Sequence, residues 1–581
     1  MRTLAAVLLF LVAGAAGAVE TQPWVKESNE NAKILLESIA KFAPEFASQL
    51  GVEGYDDQVA DVKPKAYERG QAAGKETVKK LQARLEKATD PAVRQDLQIM
   101  ILAAQDNLHT NELQNDLVLP YQSVSRQLFG GIRTLLDPRI SKERQALAVE
   151  RLKRYAGLTP KTEPFAKLAR DRTEEKLGNK KLLRPFKGQV EQDLNDTPTL
   201  MKGLRDLFAR SGLTGWQDAM DIVDKQVAGY DEWVRTTILP QAATDHLLPP
   251  VIYADNLKQF GVTMDPHELI DRALFTFAQT RDEMQALSVG IAREHGWKSS
   301  DYRDVIRQLK QERIPNEQLL EIYRARLAAI EKIVREEKLL TLPERPAAIR
   351  LASRAESAAL PAPHLNPPRL IGNAGEVGEF VLPTSNPNAE SGAEMDDFNF
   401  AAITWTLTAH EARPGHELQF SKMVEHGVST ARALFAFNSA NVEGWGLYSE
   451  AIMKPYFTAE AQLGVLQARL ERAARAFLDP MINLGMIQPA DAKRILQEDV
   501  VLSEPLAKEE VDRYTFNAPG QATAYFFGYS KLEALRAKTQ LALGGKFDAQ
   551  SYHDFIIAQG LLPPDLLEKA VMEYYVKPRL G

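Results

Sequence analysis

The 581-residue sequence contains no cysteine. This absence excludes disulfide bonds, a thiolate nucleophile and a zinc site built on cysteine sulfur. Any metal bound by the chain must therefore be held by histidine and carboxylate side chains. Histidine is also scarce, with 9 residues in the whole sequence, so two histidines close together are informative.

Long blocks of like charge are absent as well. Lys+Arg amounts to 71 and Asp+Glu to 78, which gives a net charge of −7 with both signs mixed along the chain. Nucleic-acid-binding proteins carry a basic patch or stripe, so this pattern predicts no nucleic-acid partner. A composition of 44% hydrophobic and 26% charged residues is typical of a globular protein with a large core.

The N-terminus holds a short apolar run from Leu4 to Ala13, after Arg2 and before small residues that end at Ala18. This arrangement is typical of a secretory signal peptide, and the run is shorter than the roughly 20 apolar residues that span a bilayer. We therefore expect cleavage after Ala18, no membrane span in the mature chain, and a periplasmic or secreted protein. Without cysteine, a lipobox anchor is excluded; an uncleaved membrane anchor is the alternative.

Apolar residues recur with helical spacing through most of the remaining sequence. Two such stripes are Val93, Leu97, Met100, Ile101 and Ala104, and Leu463, Leu466, Leu470, Ala473 and Phe477. Asp90 and Asp265 each precede a proline, an order that is typical of a helix N-terminus. Helix punctuated by proline and glycine, with few alternating strands, predicts a mainly α fold.

Two segments interrupt this helical pattern. Proline is concentrated between Leu360 and Pro368, which predicts an extended connector. Residues 378–383, G-E-F-V-L-P, predict a short edge strand bounded by glycine and proline. Such an edge strand could pair with an extended peptide; a simple structural hairpin is the alternative.

The most informative segment contains His410, Glu411 and His416. Histidines four residues apart differ by about 40° around a helix and can share one metal. Here the spacing is six, or about 240° on a regular helix. Pro414 and Gly415 lie between them and cannot continue an undisturbed helix. We predict a kink or bulge that returns His416 to the face of His410, with Glu411 beside the metal; two unrelated histidines are the alternative.

A zinc site needs a third protein ligand. Glu443 and Glu450 are seven residues apart and share one helix face, so one could bind metal while the other orients a ligand histidine. Either could instead lie on a solvated face. His426, ten residues after His416, is a competing candidate that is more typical of a surface or cap position, and the other six histidines have no partner at metal spacing.

Four segments carry a resemblance to a known family: H-E-A-R-P-G-H-E-L-Q (410–419), V-E-G-W-G-L-Y-S-E (442–450), R-Y (513–514) and P-G-Q-A-T-A-Y (519–525). Together they resemble the bacterial family known as domain of unknown function 885, over most of the mature chain. That family is similar to the helical gluzincin peptidases, in the build of the oligopeptidases and the angiotensin-converting enzyme group. The resemblance implies a deep cleft between two helical halves, zinc held by two histidines and one glutamate, and peptide substrates.

The resemblance also implies roles for individual residues. His410, His416 and Glu443 become the zinc ligands, and Glu411 the general base. One departure concerns Glu417, which stands where many relatives carry a second histidine; it becomes a candidate for supporting a ligand rather than for binding metal.

The downstream motif supplies candidates for stabilising the oxyanion formed during peptide hydrolysis. These are Tyr525, Tyr514 and Arg513, with Tyr525 first, although a tyrosine in a helical chain can also be a core residue with a satisfied hydroxyl. Arg513 could equally bind a substrate carboxylate as a bidentate fork.

We therefore expect a large, mainly α, cleft-bearing peptidase-like fold with a small edge β-sheet near the active site. Residues 1–18 are the signal peptide, 19–370 an N-terminal helical half and 371–581 a catalytic helical half, both halves forming one cleft-bearing unit. The expected function is that of an exported zinc metallopeptidase that hydrolyses short peptides through a glutamate-activated, zinc-bound water. The alternatives are an inactive peptide-binding or scaffold protein of the same fold, and a zinc hydrolase of non-peptide amides. Oligomeric state stays open.

Overall fold

The computed structural model describes residues 22–353, 356–357, 360, 362–371, 373, 375–383 and 395–580. The predicted signal peptide lies outside this range. Within the described residues the chain is mainly α-helical and carries one small β-sheet, so the predicted fold class is confirmed. No helix in this part of the chain is long and apolar enough to cross a membrane.

Helices joined by short connections make up the described chain as far as residue 336. Their bounds are α1 (Pro23–Phe42), α2 (Pro44–Leu50), α3 (Ala66–Lys87), α4 (Pro91–Leu117), α5 (Val124–Leu135), α6 (Lys142–Tyr155), α7 (Phe165–Leu177), α8 (Lys187–Ser211), α9 (Gln217–Trp233), α10 (Pro250–Gln259), α11 (Pro266–His295), α12 (Tyr302–Leu309) and α13 (Asn316–Glu336). Asp90 and Asp265 accept hydrogen bonds from first-turn N–H groups of α4 and α11, each ahead of a proline. Both predicted helix starts are confirmed.

The sheet follows α13 and has three short strands, β1 (Ala348–Leu351), β2 (His364–Asn366) and β3 (Glu379–Leu382), in the order β1-β3-β2. β1 pairs parallel and β2 antiparallel to β3. The predicted strand at residues 378–383 is therefore present, but its predicted edge position is wrong. β2 comes from the proline-rich connector and occupies one edge, because proline excludes helix there but is tolerated beside an edge strand.

Helices resume after the sheet. Their bounds are α14 (Ile403–Leu407), α15 (His416–His426), α16 (Ser439–Met453), α17 (Ala459–Asn483), α18 (Pro489–Glu498), α19 (Glu504–Asp512), α20 (Thr523–Leu543), α21 (Ala549–Ala558), α22 (Pro564–Ala570) and α23 (Lys577–Leu580). Several are continued by π-helical turns, including Thr408–Ala412 after α14 and Arg513–Asn517 after α19.

Two of the hydrophobic cores contain residues of helices that lie around the site. The N-terminal core consists of buried apolar residues between Val62 and Ile238. The central core extends from Tyr253 to Phe527 and forms where α11 packs along α17. The apolar stripe predicted for α17 is buried in it, so this helix supplies a rigid support for the residues described next.

A cleft of about 1580 Å³ opens between helices from distant parts of the sequence. Residues of α5 and α8 line it together with residues of α15, α16, α17 and α19. The segment from Leu360 to Pro367, which includes β2, also lines the cleft. The cleft therefore brings the N-terminal helices and the chemically informative motifs to a common space.

Candidate metal centre

The chain breaks between the two motif histidines more completely than the predicted kink. α14 and its π-helical turn end at Ala412, Arg413 is extended at φ −125° and ψ 136°, and α15 begins at His416. The Arg413–Pro414 peptide is cis. Two helices meeting at this break, rather than one bulged helix, bring the imidazole rings together with 4.6 Å between their centroids.

The break is held by close packing. A Cβ atom added to Gly415 would lie 1.8 Å from the backbone oxygen of His410, so this position accepts no side chain. Trp445 on α16 donates its indole N–H to the Pro414 carbonyl at 3.0 Å. The buried Arg413 donates to Glu331 at 2.6 Å, which attaches the break to α13. These contacts fix the distance between the two histidines.

Glu443 completes the cluster. Its Oε2 lies 3.5 Å from His410 Nε2 and 3.4 Å from His416 Nε2. Zinc bonds of about 2.0–2.2 Å at tetrahedral angles place neighbouring ligand atoms about 3.3–3.5 Å apart. Both distances match this spacing, so two imidazole nitrogens and one carboxylate oxygen are available as donors to a single cation.

Glu411 lies slightly farther from this point. Its Oε1 is 4.0 Å from His410 Nε2, and its Oε2 accepts a hydrogen bond of 2.9 Å from the Leu365 N–H of β2. Ligand atoms of Glu411 and the two histidines also lie within 4.8 Å of one another. Glu443 is nevertheless nearer to His410 and has the spacing of a tetrahedral donor, so of the two carboxylates Glu443 is the better candidate for a third metal donor and Glu411 lies beside it.

The choice between Glu450 and Glu417 as support for a histidine is decided by hydrogen bonds. Glu450, buried on α16, accepts a hydrogen bond of 2.7 Å from His410 Nδ1, which directs Nε2 toward Glu443. Glu417 instead pairs with Arg413 at 2.6 Å and accepts from Ser421 at 2.6 Å. Glu450 therefore orients His410, whereas Glu417 stabilises the break.

The charges around the histidines favour a cation. Glu411, Glu443 and Glu450 approach the imidazoles, and the guanidinium of Arg472 lies 4.0 Å from Glu450. The carboxylates outnumber the nearby guanidinium, and this excess of negative charge favours either a bound cation or a proton on His410. Burial lowers the pKa of His410, but the carboxylates of Glu443 and Glu450 outweigh it and raise that pKa to about 9.

Two of the three candidates for stabilising an oxyanion lie in the cleft. Tyr525 and Arg513 both line it, and the Arg513 guanidinium donates to the Tyr525 hydroxyl at 3.2 Å. Burial and the nearby Glu443 carboxylate raise the pKa of Tyr525, so the phenol keeps its proton. Tyr514 is fully buried and donates to Glu510 at 2.7 Å. The structure does not bring Tyr514 to the site.

Two arginines of α17 line the cleft and were not predicted from the sequence. Arg475 stacks on the Tyr525 ring at 4.7 Å, donates to Glu471 at 2.7 Å and to Glu510 at 2.7 Å, and lines the cleft. Arg472 lines the cleft beside it. The signal that could have found both is the group of charged residues among the apolar positions of α17, since a buried helix tolerates charge only where it is paired.

His426 and the Nδ1 atom of His416 both lie apart from the contacts of the cluster. His426 closes α15, about 15 Å along the helix from His416 at 1.5 Å per residue, so it does not join the cluster. The Nδ1 atom of His416 is buried and has no hydrogen-bond partner within the described residues, in contrast to the Glu450 contact of His410.

The fold and the cluster define a class of protein: a mainly α-helical chain with a histidine and carboxylate site in the wall of a large cleft. The chain belongs to the bacterial proteins of unknown function DUF885, whose family model matches residues 44–571. The family predicted from the motifs is thereby confirmed. No curated protein matches the chain.

Two solved structures share the fold. A candidate lipoprotein from Colwellia psychrerythraea is 19% identical, with a TM-score of 0.77 over 94% of this chain and 99% of that chain. A candidate lipoprotein of unknown function from Shewanella oneidensis is 18% identical, with a TM-score of 0.73 over 95% of this chain and 100% of that chain. At these identities the likeness shows the fold alone.

Proposed function

We propose that the protein is an exported zinc-dependent metallopeptidase that hydrolyses short peptides, with a site related to that of the helical gluzincins. His410, His416 and Glu443 are the proposed zinc ligands. The observation that carries the proposal is the position of Glu443 Oε2, at 3.5 and 3.4 Å from the two imidazole Nε2 atoms. A tetrahedral zinc requires this spacing of its ligand atoms.

The proposed reaction uses side chains that already face the cluster. When bound, zinc supplies an activated water and polarises the scissile carbonyl. Glu411 takes the proton of the attacking water and delivers it to the leaving amine. Because the Leu365 N–H holds Oε2, Oε1 is the oxygen directed toward His410. Tyr525, protonated and oriented by Arg513, donates a hydrogen bond to the developing oxyanion.

The shape of the cleft supports peptides as the substrate class. Its volume of about 1580 Å³ exceeds the roughly 300–1,000 Å³ of most small-molecule sites. It is nevertheless too small for a folded domain. β2 lies beside Glu411 at the rim, where backbone groups could align an extended chain.

The proposed export rests on the signal-like N-terminus and on the two structural neighbours, which are described as candidate lipoproteins. N-terminal analysis of the protein recovered from a periplasmic fraction is expected to begin at Val19. A chain that retains Met1 in the cytoplasmic fraction would contradict this part of the proposal.

The decisive experiment combines metal analysis with a mixed peptide library. Wild-type protein is expected to contain about one zinc per chain and to cleave library peptides, whereas Glu411→Gln is expected to retain zinc and lose cleavage. Glu460→Gln is a matched control, because Glu460 also contacts a histidine, His295, but on the surface of the molecule.

Other outcomes separate the alternatives. Wild-type protein that lacks metal, binds peptides and leaves them intact would favour a peptide-binding scaffold. Zinc-loaded protein that ignores peptides but hydrolyses other amides in a Glu411-dependent manner would favour a different substrate class.

A further inference from the structure

Among the residues that the structure describes, one cationic side chain of the cleft has no counter-charge. Six Lys and Arg residues line it: Arg126, Arg133, Arg472, Arg475, Lys508 and Arg513. Five of them form ion pairs of 3.2 Å or less, with Asp196, Glu471, Glu510, Asp512 and Glu510 respectively. Arg133 has neither a hydrogen bond nor an ion pair with any described residue, although it is partly buried. The guanidinium of Arg133 is therefore free to pair with a ligand that enters the cleft.

The helix face around Arg133 leaves room for a ligand. Arg126, Phe129, Gly130 and Arg133 all line the cleft, as expected for positions three and four residues apart on one face of α5. A Cβ added to Gly130 would meet no atom within 4 Å. The helix therefore presents a guanidinium next to open space, with no side chain at Gly130 to fill it.

Arg133 and Glu411 both lie close enough to β2 to act electrostatically on His364. His364 on β2 also lines the cleft, and its neighbour Leu365 donates to Glu411. Burial lowers the pKa of His364, and the charges of Glu411 and Arg133 act on it in opposite directions. The His364 imidazole therefore lies within electrostatic reach of both the proposed general base and the unpaired guanidinium.

We propose that Arg133 is a specificity-determining residue that binds a carboxylate of the peptide substrate. The inference rests on the proposed peptidase function for the class of substrate. An arginine fork binds a carboxylate in a bidentate manner, so a peptide with an anionic group on this side of the scissile bond is favoured. The carboxylate belongs either to an Asp or Glu side chain or to the peptide C-terminus, and the two sources can be tested separately.

The test measures binding, so that it does not depend on turnover. Zinc-supplemented Glu411→Gln protein is titrated by calorimetry with acetylated and amidated alanine hexapeptides that carry Glu or Gln at each position in turn. The all-alanine hexapeptide with a free C-terminus forms the second arm. We expect one arm to contain a peptide that binds about 10- to 100-fold more tightly than its neutral partner, the range for one charge-assisted contact.

Arg133→Gln in the same background is expected to bring this ratio close to one, and Arg133→Lys to restore part of it. Arg126→Gln is the matched control, because Arg126 shares the helix face but already pairs with Asp196; the ratio should survive there. Equal binding of anionic and neutral peptides overturns the inference, as does a preference that persists in Arg133→Gln or disappears equally in Arg126→Gln.

Failure of the proposed function gives a different result. Wild-type protein that never cleaves peptides refutes the peptidase proposal, while the binding ratio and its dependence on Arg133 still decide the role of this side chain.

Discussion

At the scale of single residues, the two tyrosines of the downstream motif have different environments. Tyr525 lines the cleft with its hydroxyl 3.2 Å from Arg513. Tyr514 is fully buried, and its hydroxyl donates to Glu510. The same conservative change in each tyrosine should therefore affect different properties of the protein.

Tyr525→Phe is expected to lower kcat by about 10²- to 10³-fold, the usual cost of removing one oxyanion donor, with little change in KM. Tyr514→Phe should lower the free energy of unfolding by about 1–3 kcal/mol, because it removes a buried hydrogen bond to a carboxylate, and leave kcat close to wild type. Steady-state kinetics and urea denaturation of both variants check this. A Tyr525→Phe enzyme with wild-type kcat would remove Tyr525 from the mechanism.

Residue spacing predicted that His410 and His416 would meet, and they do so because the Pro-Gly pair breaks the helix between them. Spacing left Glu443 and Glu450 as equal candidates beside them, and the choice of Glu443 came from the family resemblance. The supporting residue could not be chosen, since Glu450 and Glu417 both have suitable positions in the sequence and only their packing distinguishes them. Arg133 was also beyond prediction, because it lies 277 positions before His410 and meets the cleft only through tertiary folding.

At the scale of secondary-structure elements, α16 packs closely against the His410 side chain. A Cβ at Gly446 would lie 2.5 Å from the imidazole Cε1 and 2.6 Å from Nε2 of His410. The absence of a side chain at this position on α16 therefore permits His410 to face Glu443.

Gly446→Ala is expected to displace the His410 imidazole and weaken zinc binding by about 10-fold or more, by analogy with other changes that disturb ligand orientation. Competition with a chromophoric chelator measures the affinity. Gly290→Ala on α11 is the control, because a Cβ there meets nothing within 4 Å and alanine favours helix over glycine by up to about 1 kcal/mol. Unchanged zinc affinity in Gly446→Ala would contradict the role assigned to this contact.

His553 connects α21 to α16, the helix that carries Glu443 and Glu450. On α21, its Nδ1 contacts the Leu339 carbonyl at 2.7 Å and its Nε2 contacts the Tyr448 hydroxyl of α16 at 2.8 Å. Burial lowers the pKa of His553 to about 4. An unfolded histidine titrates near 6.5, so between these values the unfolded chain binds more protons.

Above pH 6.5 the neutral His553 therefore contributes fully to the free energy of unfolding, and this contribution is lost as the pH falls toward 4. The loss should reach roughly 2–3 kcal/mol at pH 4. His553→Gln, which keeps an acceptor and a donor, is expected to flatten this part of the pH profile of urea unfolding, whereas the same change at the exposed His267 on α11 should not. An identical acid-side slope in wild type and His553→Gln would show that other groups dominate.

The elements themselves were predictable to differing degrees. Proline after a capping aspartate predicted the starts of α4 and α11, and apolar spacing predicted the buried face of α17. The strand at 379–382 was also predicted, but its central position depends on β2, a three-residue strand inside a proline-rich segment. Strand order depends on long-range pairing, which local sequence patterns do not contain.

At the scale of the whole molecule, the cluster and the N-terminal core are separate. The cluster uses α14 with its π-helical turn, α15 and α16, whereas the N-terminal core contains only residues between Val62 and Ile238. Both regions contribute residues to the lining of the cleft, the N-terminal core through α5 and α8. Their local stabilities should therefore respond differently to a metal.

Zinc is expected to slow amide hydrogen exchange in the segments that hold its ligands, residues 403–426 and 439–453, because a ligand that binds only the folded site raises the free energy of local opening. At a zinc concentration of 100 times Kd this gain is about 2.7 kcal/mol, or about 100-fold in exchange through such openings. Exchange in α6 and α7, which pack in the N-terminal core, should stay within about 2-fold.

Mass spectrometry of wild type and Glu443→Gln, with and without zinc, measures both regions. Because Glu443→Gln removes the carboxylate that lies within 3.5 Å of both imidazoles, it should lose the zinc effect; uniform slowing across both regions, or slowing that persists in the variant, would contradict a single metal site at this cluster.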